Sequence, residues 1–180
     1  MSWATDHGYG WIEKETGPRV LVTAVSMLGV KEAPGAANNP TIMQWAKKLG
    51  LDKVYTSDSI PWCGLGMAYI VMQAGFDPPV NPLWALNWEK FGNPAPNAIP
   101  MSGDIMVKKR KGGGHVTMYA AEDDTHYHCI GTNQSDMCNI VRYPKSDFHA
   151  FRRCPWRINQ PAQVRRIFVA PKGALATKEN

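Results

Sequence analysis

The strongest candidate for covalent chemistry in the 180-residue chain is Cys63, within Asp58-Ser59-Ile60-Pro61-Trp62-Cys63-Gly64-Leu65-Gly66. Pro61 and Trp62 open a helical pattern that runs to Ala74, with Gly75 ending it. Cys63 therefore falls in the first turn, where backbone N–H groups and the helix dipole favour negative charge. Such a setting lowers a thiol pKa, and the thiolate is the nucleophile. Gly64 and Gly66 leave room for a chain or a substrate to come close. A buried structural cysteine at a helix start is the competing reading.

A cysteine nucleophile needs a base, and His115 is the best placed of five histidines. It follows Gly112-Gly113-Gly114 and opens the strand pattern His-Val-Thr-Met-Tyr. A strand start beside a turn holds an imidazole rigidly at a sheet edge. A helical Cys63 and a strand-borne His115 suit Cys–His nucleophilic catalysis. An exposed strand-edge histidine is the plainer alternative. A third polar group normally orients the base. The run Gly131-Thr132-Asn133-Gln134-Ser135-Asp136 follows the next strand, and a hairpin would return it to His115. Asn133 is the first choice as orienter and Gln134 the second, since strand alternation turns only one of them inward. All four polar types are also ordinary turn residues. Trp62 and Asp58 are candidates for substrate contact, against core packing for the indole and loop capping for the carboxylate. Asp104 is expected to cap or orient the sheet.

These residues need a scaffold of helices followed by strands. The apolar spacing predicts a helix from about Pro18 to Gly29 and another from Asn39-Pro40 to Gly50, with Trp45 on its core face. A third carries Cys63, and a short fourth covers 84–91. Residues 92–100 are rich in Asn and Pro and read as loop. Strands are expected at 104–108, 115–121, 126–130 and 139–143, with a last one at 166–170. Helices and then an antiparallel meander make an α+β fold.

At these residues the chain resembles the papain-like peptidoglycan hydrolases of the CHAP and NlpC type, above all the phage-lysin branch. The resembling elements are Gly29-Val30-Lys31-Glu32-Ala33-Pro34-Gly35, Asn38-Asn39-Pro40 with Ile42 and Trp45, and Pro61-Trp62-Cys63. Gly103-Asp104-Ile105-Met106-Val107, Gly114-His115-Val116 and the run 131–136 complete them. They span roughly 25–157. Each is weak alone; their order and spacing carry the likeness. It implies a papain-like fold with Cys63 as nucleophile, His115 as base and a polar third residue near Asn133. It implies cleavage of an amide in peptidoglycan, at the muramoyl–L-alanine bond or in the stem peptide, with no cofactor. Gly64 departs from the alanine or serine common in the family.

Other signals compete less well. His126, His128, Cys129 and Cys138 lack zinc-finger spacing, so no metal site is expected. Lys108 to Lys111 followed by three glycines is no phosphate-binding loop. It reads as a solvated turn, or as a means of holding an anionic glycan beside His115.

With 44% hydrophobic and 19% charged residues, the composition excludes disorder and points to one catalytic domain over 1–180. The chain carries +5, placed unevenly. Residues 142–180 hold nine basic and two acidic residues, a net +7, against −2 for the remainder. That segment is expected to hold anionic cell-envelope polymers. The opening Met-Ser-Trp-Ala-Thr-Asp lacks a basic start and apolar stretch, so no secretory signal is expected, and no run suits membrane insertion. Synthesis in a host cytoplasm and action on the wall after release follow, with four reduced cysteines and a monomer as the default. An antibacterial amidase effector is one alternative. A nucleic-acid-binding module built on the basic tail is another, and it lacks the usual aromatic–basic signatures.

Overall fold

The computed structural model describes residues 1–176 and has an α+β architecture. Lys178 and Glu179 of the basic segment lie outside the described residues. The helical half comprises α1 (Trp3–Asp6), α2 (Arg19–Ser26), α3 (Pro40–Lys48) and α4 (Cys63–Gln73). Asn39 caps α3, its Oδ1 accepting from the Thr41 amide at 2.8 Å, and Pro40 occupies the first helical position. Helix α4 is buried along nearly its whole length, which is why its sequence is apolar on every side. The expected fourth helix is a 3₁₀ segment, Ala85–Lys90.

The strands are β1 (Asn93–Pro94), β2 (Ile105–Arg110), β3 (Gly113–Glu122), β4 (His126–Gly131), β5 (Asn139–Pro144) and β6 (Phe148–Arg153). They form one antiparallel sheet in the order β1-β6-β2-β3-β4-β5. The expected meander is β2 to β5. Strand β6 was not foreseen; it returns to pair with the free edge of β2. Short β1 was read as loop and pairs with β6. The strand expected at 166–170 is instead a single parallel bridge, Phe168 to Glu122, at the end of β3.

Alternation on the strands separates two cores. Ile105, Val107, Val116, Met118 and Ala120 join the helices, while Met106, Tyr119, Cys129, Val141, Tyr143 and Phe148 form a smaller cluster. The turn of the β2–β3 hairpin relies on Gly112 at φ 79°, a left-handed value that suits glycine. No described helix is long and apolar enough to cross a membrane.

Candidate active site

Cys63 is the first residue of α4, and Trp62 is the helix cap. The loop before it is built like a wall. The Asp58 carboxylate accepts hydrogen bonds from the amides of Ala33 at 2.8 Å and Asn39 at 2.7 Å, while its own amide donates to Asn38 Oδ1 at 2.9 Å. The Trp62 indole donates to Glu32 Oε1 at 2.7 Å and packs against Trp45. Burial of Glu32 raises its carboxyl pKa although this hydrogen bond works against the rise. Asp58 is 2% exposed and Trp62 0%, and neither lines the cleft where a substrate contact was expected of them. Both staple the segments 29–40 to the helix start instead.

The two glycines of the motif admit neighbouring chain rather than ligand. A Cβ on Gly64 would stand 2.8 Å from the Leu83 carbonyl oxygen and closer still to that of Pro82. A Cβ on Gly66 would strike the side chain of Thr132. Thr132 Oγ1 donates to the carbonyls of Trp62 at 3.0 Å and Cys63 at 3.2 Å, tying the end of β4 to the start of α4. Thr132 is a positioning residue that the sequence reading missed. Gly66 at matching depth was the only hint.

His115 is buried on β3, in register with Lys108 of β2. Its Nε2 donates to Gln134 Oε1 at 3.2 Å, which leaves Nδ1 for the cysteine. Gln134 is held firmly. Its Oε1 accepts from the Tyr143 hydroxyl at 3.1 Å, and its Nε2 donates to Asn139 Oδ1 at 2.8 Å and Asn139 O at 3.0 Å. The third polar group hydrogen-bonded to His115 is thus Gln134, the second choice, rather than the first choice, Asn133. Asn133 takes φ 60° in a turn that also holds Ser135 and Asp136 at positive φ. That left-handed backbone sends the next side chain back under the sheet. Gly131 makes the space: a Cβ there would overlap the Gln134 amide and stand 2.8 Å from Thr117 Oγ1.

Burial alone would push the Cys63 thiol up. The hydrogen bond and charge of His115, the Val116 amide and the charge of Arg110 together outweigh burial and leave the thiol below its ordinary value. The other three cysteines behave oppositely. Burial pushes Cys154 up to about 12 and holds Cys129 and Cys138 well above the ordinary range. Of the four free cysteines, Cys63 is therefore the one whose thiol is held below its ordinary value. It forms the floor of a cleft of about 420 Å³. Ile60 and Pro61 line one side, Leu83 and Trp84 another, and residues 110–114 of the hairpin the rim. Trp84 is 52% exposed and its ring lies 3.9 Å from where a Gly113 Cβ would be. It is the exposed aromatic ring of the cleft, a position that buried Trp62 does not occupy.

The histidine–carboxylate group on the far strands is structural. His128 Nε2 donates to Asp123 Oδ2 at 3.0 Å, its Nδ1 lies 2.8 Å from the Tyr9 hydroxyl, and Arg142 pairs with the same carboxylate oxygen at 2.7 Å. Among the described residues no cluster of His, Cys, Asp and Glu has the arrangement of a metal site. Asp104, expected to orient the sheet, does so: it receives Arg153 at 2.8 Å and the Met101 amide at 2.9 Å.

Five cations of the basic segment pair with carboxylates from elsewhere in the chain. Arg142 pairs with Asp123, Lys145 and Arg166 with Glu122, Arg153 with Asp104, and Arg165 with Glu15. Arg152 donates to the carbonyls of Phe91 and Gly92. The carboxylates come from earlier in the chain, which explains the charge asymmetry as an internal pairing of two halves. In comparisons with known proteins, no family model and no curated protein matches the chain.

Proposed function

We propose that this protein is a cysteine-dependent hydrolase of peptidoglycan amide bonds with a papain-like arrangement, acting as a lysin on the bacterial wall. The observation that carries the proposal is the Cys63–His115–Gln134 set at the floor of an open cleft, with Cys63 the sole thiol lowered rather than raised. The chemistry is acyl transfer. His115 takes the proton of Cys63, and the sulfur attacks the amide carbonyl. First-turn N–H groups of α4, which have no acceptor within the helix, stabilise the oxyanion. Protonated His115 then gives its proton to the leaving amine, and water releases the acyl group. Gln134 keeps the imidazole in the tautomer with Nδ1 toward the sulfur. The route uses no metal or organic cofactor.

The test is turbidity clearing of outer-membrane-permeabilised cells, with mass spectrometry of the released muropeptides to identify the bond cut. Wild type clears the suspension and Cys63→Ala does not. Equal clearing by both, or none by wild type, defeats the proposal. The paired state of the C-terminal cations favours this reading over nucleic-acid binding through that segment.

A further inference from the structure

The last described stretch, residues 172–176, lies along β5, the final strand in the sheet order. The Arg142 amide donates to the Ala174 carbonyl at 2.9 Å, and the Ala176 amide donates to the Arg142 carbonyl at 2.9 Å. Between them Leu175 forms a single parallel bridge with Arg142. At the start of the stretch the Lys172 carbonyl receives the Tyr9 hydroxyl at 3.1 Å. Gly173 takes φ 103° there, and a Cβ on it would overlap that hydroxyl. Side chains add little to this hold: Leu175 is 57% exposed, and Ala174 and Ala176 offer one methyl group each. The Arg142 side chain, by contrast, is fixed by Asp123 at 2.7 Å. The stretch is therefore a weakly held strap on a firmly held strand, of the kind that opens ahead of the core.

Against the strap is a recess of about 150 Å³, lined by Gln134, Asn139 and Tyr143 from the sheet and by Ala174, Leu175 and Ala176 from the strap. Lifting the strap thus uncovers the group that holds the base. Gln134 Oε1 accepts from His115 Nε2 and from the Tyr143 hydroxyl, and its Nε2 donates twice to Asn139. Gln134 and Tyr143 are buried, which makes these bonds stronger than the same bonds in contact with water. With the strap lifted, water reaches the amide and competes for both of its ends. We propose that residues 172–176 form a displaceable strap whose docking on β5 keeps Gln134 aligned with His115, so that undocking disarms Cys63. The proposal rests on the hydrolase reading for the use made of Cys63, and on the strap geometry for the coupling. Regulation of this kind needs no change at the cleft. Whatever shifts the strap between its docked and undocked populations sets the armed fraction.

The test loosens the strap in the full chain and reads two distant places, independent of any wall assay. Ala176→Pro removes the donor to Arg142, and Gly173→Val drives a side chain against Tyr9. Ile158→Ser, at a side chain 91% exposed, is the control. Amide hydrogen exchange is followed by mass spectrometry in peptides covering 131–143 and 172–176, and alkylation of Cys63 by iodoacetamide is timed at neutral pH. Both strap variants are expected to speed exchange in 131–143 roughly two- to tenfold, the value of one backbone hydrogen bond. They slow alkylation of Cys63 by about twofold or more, because a misaligned imidazole holds less thiolate. Near-UV circular dichroism stays native, and the control matches wild type in both readouts. If Gly173→Val does not fold, Ala176→Pro decides alone. Exposed strap amides with unchanged exchange in 131–143, or a lowered Tm with unchanged Cys63 reactivity, make the segment merely structural and overturn the proposal. Slowed alkylation in the variants, with no muropeptide release by wild type, leaves the strap standing and removes the peptidoglycan reading.

Discussion

Replacing Gln134 by alanine separates orientation of the base from the base itself. The amide oxygen holds His115 Nε2 at 3.2 Å and the Tyr143 hydroxyl at 3.1 Å, and the amide nitrogen makes two bonds to Asn139. The imidazole becomes positive as it takes the thiol proton, so in the transition state its bond to Gln134 is charge-assisted. Such a bond is worth about 1.5–3 kcal/mol, or a fall of roughly ten- to 150-fold in kcat. Losing the remaining bonds lowers stability by about 2–4 kcal/mol, a drop of roughly 5–15 °C in Tm for a chain of this size. The assay is muropeptide release at saturating substrate and a temperature well below the lowered Tm, with near-UV circular dichroism confirming the native state. Asn133→Gly, which keeps the left-handed backbone of the turn, is the control and retains kcat within about twofold. If folded Gln134→Ala keeps wild-type kcat, or Asn133→Gly loses it, the orienting role belongs elsewhere.

Further outcomes follow from the same geometry. Gly64→Ala drives a methyl group into the backbone of residues 82–83, which cannot rotate away, and lowers stability by about 1–3 kcal/mol in urea unfolding; an unchanged midpoint would contradict the close packing. Iodoacetamide at limiting amounts and neutral pH modifies Cys63 first and leaves Cys129, Cys138 and Cys154 untouched until the protein is denatured; early labelling of any of those three counts against the assignment. Burial raises the Glu122 carboxyl, but Arg166, Lys145 and Tyr119 reverse this and leave it below its ordinary value. Its stabilising effect is therefore present above the unfolded carboxyl pKa near 4.5 and is lost as pH falls through the lower folded value. Glu122→Gln should cost about 1–2 kcal/mol at pH 7, discounted because both cations are partly exposed, and the difference from wild type should shrink toward pH 3. A difference that grows on acidification would reverse the sign.

What could be read in advance was what local chemistry decides. Pro61 and Trp62 before Cys63, and glycines before His115, are start signals within a few residues of the positions they define, and the structure has both elements there. The choice between Asn133 and Gln134 was not local. It depends on three left-handed residues in the turn and on the missing Cβ of Gly131, a combination that strand alternation does not describe. Asp58 and Trp62 were misplaced because their partners, Ala33, Asn39 and Glu32, lie 19 to 30 residues away. A buried indole and an exposed one look alike in sequence, so Trp84 was passed over for Trp62. Strand β6 escaped notice because Phe-His-Ala-Phe-Arg-Arg lacks a clean alternation. Its pairing becomes favourable only once β2 offers an edge. The pairing of the basic segment with Glu15, Asp104, Glu122 and Asp123 was not legible because it exists only once the chain folds.

The contacts that bind the first turns to the last described stretch have a consequence for synthesis. The Tyr9 hydroxyl donates to the Lys172 carbonyl, and Glu15 pairs with Arg165. On a ribosome, Cys63, His115 and Gln134 all emerge before Arg165 and Lys172. The nascent chain can therefore assemble its thiol and imidazole while residues 1–15 still lack these two closing contacts. Closing that loop of some 150 residues is the slow, non-local step. The two contacts that fasten the arm to residues 165–172 can therefore form only after the whole catalytic set has been synthesised.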